Sequence, residues 1–106
     1  MVRLSWYDPG LCGELPLNCF DVEDAFRMAG GEDAREWYGR SVACPLEFEL
    51  GTEFEVVGSR NADGGYVCKD RGGAIFIEEG GVVRLDVLSL WPIWTGLAEA
   101  RVSLGR

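Results

Sequence analysis

The chain has 106 residues, of which 47% are hydrophobic, and carries a formal charge of −8 with no histidine. That length and apolar content suit one small domain with a compact core and not a disordered segment. The missing histidine excludes Ser-His and Cys-His nucleophile pairs and His-bearing zinc sites. The acidic balance opposes docking on nucleic-acid phosphates or on an anionic membrane surface, and no apolar run reaches the length of a membrane span.

Val2, Leu4 and Trp6 alternate with Arg3, Ser5 and Tyr7, which predicts a strand. "DPGLCG" (Asp8 to Gly13) turns the chain. Asp21 is placed to cap a short helix with Ala25 and Phe26 on one face and Gly30 at its end. "GGEDARE" reads as exposed, and "WYGRSVACP" leads into a short strand halted by Pro45. Glu47, Glu49, Glu53 and Glu55 alternate as one wet face. "TEFEVVG" predicts a strand with Phe54 and Val56 inward. After the turn-rich "SRNADGG", "YVCKD" returns as its hairpin partner. "GAIFI" and "VVRLDVL" are expected to pair across "EEGG". Pro92 blocks a regular strand through "SLWPIWTG", where Trp91 and Trp94 are candidates for an exposed apolar patch. "EARVSLG" closes the chain with Ala100, Val102 and Leu104 on one face. Six or seven short strands and one short helix indicate a small, mainly β barrel.

The four cysteines, Cys12, Cys19, Cys44 and Cys68, are spaced by 7, 25 and 24 positions, which fits no common zinc knuckle. An even count in a short chain favours two disulfides over buried thiols or a four-cysteine metal site. Three pairings are open. The sequence-local choice joins Cys12 to Cys19 and leaves Cys44 with Cys68. Disulfides imply an extracellular or otherwise oxidising setting, although "MVRLSWYD" shows no signal-peptide pattern. The expected routes are prior removal of a signal or release by lysis.

With no histidine, the acids and bases available are carboxylates. Asp86 stands among Val82, Val83, Leu85, Val87 and Leu88. Alternation puts Arg84, Asp86 and Leu88 on one strand face and Leu85 and Val87 on the other. In a groove, low solvation would raise the Asp86 pKa and keep it protonated, as glycosidic cleavage requires. The alternative is a surface aspartate paired with Arg84 or Arg101. Asp70 precedes Arg71-Gly72-Gly73; the glycines permit positive φ and close approach of a ligand, and the alternative is an Asp-initiated turn. Trp37, Tyr38, Trp91 and Trp94 offer rings for sugar stacking, core packing or a partner interface.

The segments "YGRSVACPLEFELGTEFEV" (38–56), "YVCKDRGGAI" (66–75), "RLDVL" (84–88) and "ARVSL" (100–104) together resemble the 3D domain. "LSWYDPGLCG" and "RMAGGE" extend the resemblance to nearly the whole chain. This double-psi β-barrel module, named for three aspartates, occurs in lytic transglycosylase A and in related muralytic proteins of bacteria and phages. The resemblance implies a six-stranded double-psi barrel spanning residues 1–106 as one domain. It implies a peptidoglycan glycan strand as substrate, with Asp86 as catalytic acid and Asp70 beside it. The "D-T-G-G-A-I" segment maps substrate contacts onto Arg71, Gly72, Gly73 and Ala74, with Tyr38 as a further one. No cofactor or metal is implied.

Four departures stand out, one of them that the family's Thr-Gly-Gly has become Arg71-Gly72-Gly73. The family's first aspartate falls on Cys44, where a bond to Cys68 would replace a polar tie with a covalent one. The Lys-Gly that usually follows the Gly-Gly-Ala-Ile segment is replaced by Phe76-Ile77. Asp70 and Asp86 are also 16 positions apart, more than is usual, because "FIEEGG" lengthens the hairpin. The competing expectation is a non-catalytic barrel that binds wall glycan or serves a virion or cell-envelope assembly. A third is a hydrolase with Asp86 as acid and Asp70 as base. All place the protein outside the cell, in the wall or on a virion.

Overall fold

The computed structural model describes residues 1–8 and 26–103. The six strands are β1 (Val2–Tyr7), β2 (Ser41–Ala43), β3 (Glu53–Val57), β4 (Gly64–Asp70), β5 (Val83–Leu88) and β6 (Gly96–Ser103). A 3-10 turn at Ala34–Glu36 is the only helical element of three or more residues among the described residues, and no helix there is long and apolar enough to cross a membrane. The helix expected from Asp21 lies largely outside the described residues, as do Cys12 and Cys19.

The strands close a barrel in the order β1-β5-β2-β4-β3-β6, so the expected fold class, a mainly β six-stranded barrel, is the one observed. Two neighbouring pairs are parallel, β1 with β5 and β2 with β4; the other four are antiparallel. Parallel neighbours cannot be joined by a tight hairpin, so the chain crosses over the barrel ends. The pairing map is unchanged when β1, β2 and β3 are exchanged for β4, β5 and β6. The barrel is thus two interlocked three-strand halves, with β2 and β5 meeting at the centre.

Alternation decides what faces inward. Leu4 on β1, Phe54 and Val56 on β3, and Leu85 and Val87 on β5 are buried inside, as their period-2 spacing predicts. Phe54 meets Phe48 edge to face at 5.2 Å between ring centres. A second, smaller cluster sits outside the wall, where Leu88, Met28 and Ala34 are buried with Tyr7, Trp37 and Tyr38 against them. Leu88 shares a strand face with Asp86 but is fully buried, because the 26–38 segment covers that part of the wall.

Four local expectations are corrected. "GAIFI" is not a strand: its backbone pairs with β5 through the single Ile77–Val83 bridge and the Arg84 N–H donating to the Phe76 carbonyl. The reason is edge competition. β1 lines β5 along its whole length on one side, and β2 takes Asp86 and Val87 on the other, leaving only the start of β5 open. The glycines with left-handed φ here are Gly80 (97°) and Gly81 (89°) in the turn; Gly72 and Gly73 have none, so their freedom is not used. Of the four alternating glutamates, only Glu53 and Glu55 lie on a strand; Glu47 and Glu49 sit in the turns after Pro45. Val102 is exposed although Ala98, on the same face of β6, and its register partner Phe54 on β3 are buried; Leu104, expected on that face, lies outside the described residues.

Candidate active site

The site is built on a row of four residues crossing the barrel wall. Ser5 of β1 is the register partner of Asp86 of β5, Asp86 of Ala43 of β2, and Ala43 of Asp70 of β4. Directly opposed residues share a sheet face. The side chain of Asp86 is outward, opposite the buried Leu85 and Val87, so the row lies on the outer surface. With neighbouring strands about 4.8 Å apart, the two aspartate Cα atoms stand roughly 10 Å from each other across Ala43.

Asp70 reaches this face through a β-bulge. Val42 pairs with Cys68, but Ala43 pairs with Asp70, so Lys69 is the extra residue on β4. Cys68 is buried in the core. Without the extra residue, strict alternation would send the Asp70 side chain inward as well; the bulge turns it outward. Lys69 then anchors the covering segment: its ammonium pairs with Glu32 at 3.3 Å and lies 4.8 Å above the Trp37 ring centre, and its carbonyl accepts from the Gly30 N–H.

Each carboxyl is held differently. Asp86 is half-buried and accepts a hydrogen bond from the Ser5 hydroxyl at 2.7 Å. Burial pushes its pKa above the ordinary aspartate value, the Ser5 bond pulls the other way, and the Asp70 charge adds to the rise. It is paired with neither Arg84 nor Arg101, as the surface reading required: Arg84 goes to Glu78 at 3.0 Å. Asp70 accepts from the Tyr7 hydroxyl at 3.2 Å and from the N–H groups of Ala29 and Arg71, both at 2.9 Å. It therefore makes the turn-like bond to Arg71, and it shares the row with Asp86 two strands away. Burial, then the Asp70 charge and hydrogen bond, then the charges of Asp86 and Tyr38, raise the Tyr7 pKa, so this phenol stays a proton donor.

Asp86 opens onto a groove of about 370 Å³ lined by Arg3, Leu4, Ser5, Trp6, Ala74, Ile75, Arg84 and Asp86. A separate concavity of about 400 Å³, which includes Trp37, Arg40 and Tyr66, contains neither aspartate. Of the expected contact residues, Ala74 lines the Asp86 groove, while Gly72 and Gly73 lie exposed just before it. The Arg71 guanidinium points elsewhere: it donates to the carbonyls of Pro45 (2.6 Å) and Cys44 (3.3 Å). Tyr38 packs in the outer cluster and donates to Asp8 at 2.5 Å. Cys44 and Cys68 form a disulfide that ties the end of β2 to β4 just before the bulge. Trp94 packs against the core while Trp91 is 72% exposed, so they do not form one patch.

Ser5 and Tyr7 are the site residues that sequence reasoning missed. Alternation with Leu4 and Trp6 already put them on one face, but nothing local says that β1 lies beside β5. No family model, curated protein or solved structure matches the chain.

Proposed function

We propose that this barrel cleaves the glycan strand of peptidoglycan as a lytic transglycosylase, with Asp86 as the single acid and base. The observation that carries the reading is the half-buried Asp86 carboxyl, raised in pKa and open to a groove, with a second carboxyl in the same row. A pKa raised above the ordinary aspartate value favours the protonated form that donates to a glycosidic oxygen.

The chemistry needs little else. As the bond between the anomeric carbon of the muramic acid and the bridging oxygen breaks, Asp86 gives its proton to that oxygen. The C6 hydroxyl of the same sugar attacks the anomeric carbon, and Asp86 takes the hydroxyl proton, leaving a 1,6-anhydro end. No protein nucleophile and no positioned water take part, in keeping with a chain that has no histidine. Asp70, fixed by Tyr7 and two backbone N–H groups, acts through its charge on Asp86. Tyr7 holds Asp70 in position.

Purified wall sacculi digested with wild type and with Asp86→Asn test the reading, with products assayed for anhydro-muramic ends. Wild type is expected to release them and the variant to lose at least about 100-fold, the usual scale of acid–base catalysis. Release undiminished in Asp86→Asn would sink the assignment. A second reading, a non-catalytic barrel in a wall or virion assembly, is favoured by the adjacent exposed Leu90 and Trp91. Its outcome in the same assay is sedimentation with sacculi and no release by the wild type.

A further inference from the structure

We propose that the Asp86 groove carries, next to the acid, a subsite for a carboxylate-bearing substituent of the glycan, formed by Arg3 and Arg84. This rests on the reading of the groove as a glycan site, but not on cleavage taking place there.

The parallel pairing of β1 with β5 sets Arg3 directly opposite Arg84, two residues before the Ser5–Asp86 pair on both strands. Both arginines line the same groove as Asp86. Two residues of strand rise about 6.6 Å, so the cationic row lies roughly one sugar step along the groove from the acid. Like charges set side by side on a sheet repel. One carboxylate, Glu78, holds them together: it accepts from Arg3 Nε at 2.6 Å, Arg3 Nη2 at 3.1 Å and Arg84 Nε at 3.0 Å. Arg84 is fixed further by the Ala74 carbonyl at 3.3 Å and by the Phe76 ring, 4.1 Å from its guanidinium carbon.

Two guanidinium groups against one carboxylate leave one net positive charge, in a chain whose total is −8. Each guanidinium has five N–H donors, more than these bonds use. They are already oriented, so little ordering cost remains on binding. One net charge suits a carboxylate, which the planar fork of arginine matches; a phosphate dianion would leave charge unbalanced. The apolar Trp6 and Ile75 beside them complete a wall for a sugar face. In wall glycan this carboxylate has two sources: the free lactyl group of a strand stripped of peptide, or an acidic residue of the stem peptide.

The test is an NMR titration of the full chain in its Asp86→Asn form, which keeps the ligands intact, following the arginine Nε–H signals. Three probes of equal sugar length are compared: a peptide-free muramic acid oligosaccharide, the same strand bearing stem peptides, and a neutral N-acetylglucosamine oligomer. At least one acidic probe is expected to bind about tenfold more tightly than the neutral one, the scale of one charge-assisted hydrogen bond. The tighter of the two acidic probes identifies the source. The advantage is expected to shrink in high salt and to vanish in Arg3→Gln/Arg84→Gln. Equal binding of acidic and neutral probes by the Asp86→Asn protein would overturn the subsite while leaving the sacculus assay free to support cleavage. A carboxylate preference with no cleavage of sacculi by wild type would sustain the subsite and end the catalytic reading. Failure of all three probes to bind would end both.

Discussion

A single methyl group, that of Ala43, stands between the two carboxyl-bearing positions, and the difference between them is one of solvent and partners. Asp70 has a phenol and two backbone N–H groups to accept from; Asp86 has one hydroxyl and a groove. The cost of this arrangement shows in stability. Burial first, and the Asp70 charge second, lift the Asp86 pKa in the folded protein above its unfolded value. The contribution of the neutral carboxyl is therefore complete below the ordinary aspartate range and is lost as pH rises through the raised value. Asp86→Asn cannot ionise, and its side-chain oxygen still accepts from Ser5. Denaturant unfolding across a pH series is expected to show the variant gaining on wild type as pH rises, with the gap closing in acid. A gap that does not change with pH would mean that ionisation of Asp86 carries no cost in the fold. Glu78 runs the other way. Its hydrogen bonds to Arg3 and Arg84 hold its pKa down at about 2, so the support it lends is present at neutral pH and disappears only as pH falls toward that value.

At the scale of strands, the bulge at Lys69 decides whether there is a pair of acids at all, and the disulfide is the clamp beside it. The Cys44–Cys68 bond closes a loop of 24 positions, for which chain-entropy reasoning assigns about 3 kcal/mol. Replacing both cysteines by serine is expected to lower the melting temperature by on the order of 10–20 °C for a domain of this size. The bulge should loosen with it, so the Tyr7–Asp70 contact, followed through the tyrosine ring signals, should weaken before the barrel melts. An unchanged Tyr7 environment in the variant would show that the bulge stands without the clamp. The same elements show what could be foreseen. β1, β3, β4 and β5 were legible because each has one face in the core and repeats every second residue. The inward set of Phe54 and Val56 follows directly. The bulge was not legible, since one extra residue changes parity without altering composition. Nor was the fate of "GAIFI", which has strand-like residues but meets a strand whose edges are largely taken by β1 and β2. Asp70 and Asp86 were singled out by resemblance, yet Ser5 lies 81 positions from Asp86 and Tyr7 lies 63 from Asp70, and no local pattern reports such a neighbour.

For the barrel as a whole, closure leaves no open edge among the described strands, and β6 is the stave that completes it, pairing with β1 on one side and β3 on the other. Ending the chain before Gly96 would expose two unpaired edges at once. Such a truncation is expected to be aggregation-prone and to bind an amyloid-type dye, measured by light scattering and dye fluorescence; a soluble monomer with strand-rich circular dichroism would contradict this. The exchange of β1–β3 for β4–β6 also maps the row of four residues onto itself: Ser5 changes places with Asp70, and Asp86 with Ala43. One acid thus occupies one of two related central positions, and a small, buried residue holds the other. The interlocking has a further consequence in time. β1 is made first, but its partners β5 and β6 are made last, and contacts between distant segments are slow to form because loop closure must come before any reward. On the ribosome the first strand must wait, unpaired, until nearly the entire barrel has been synthesised, so the site and the fold are completed in the same late step.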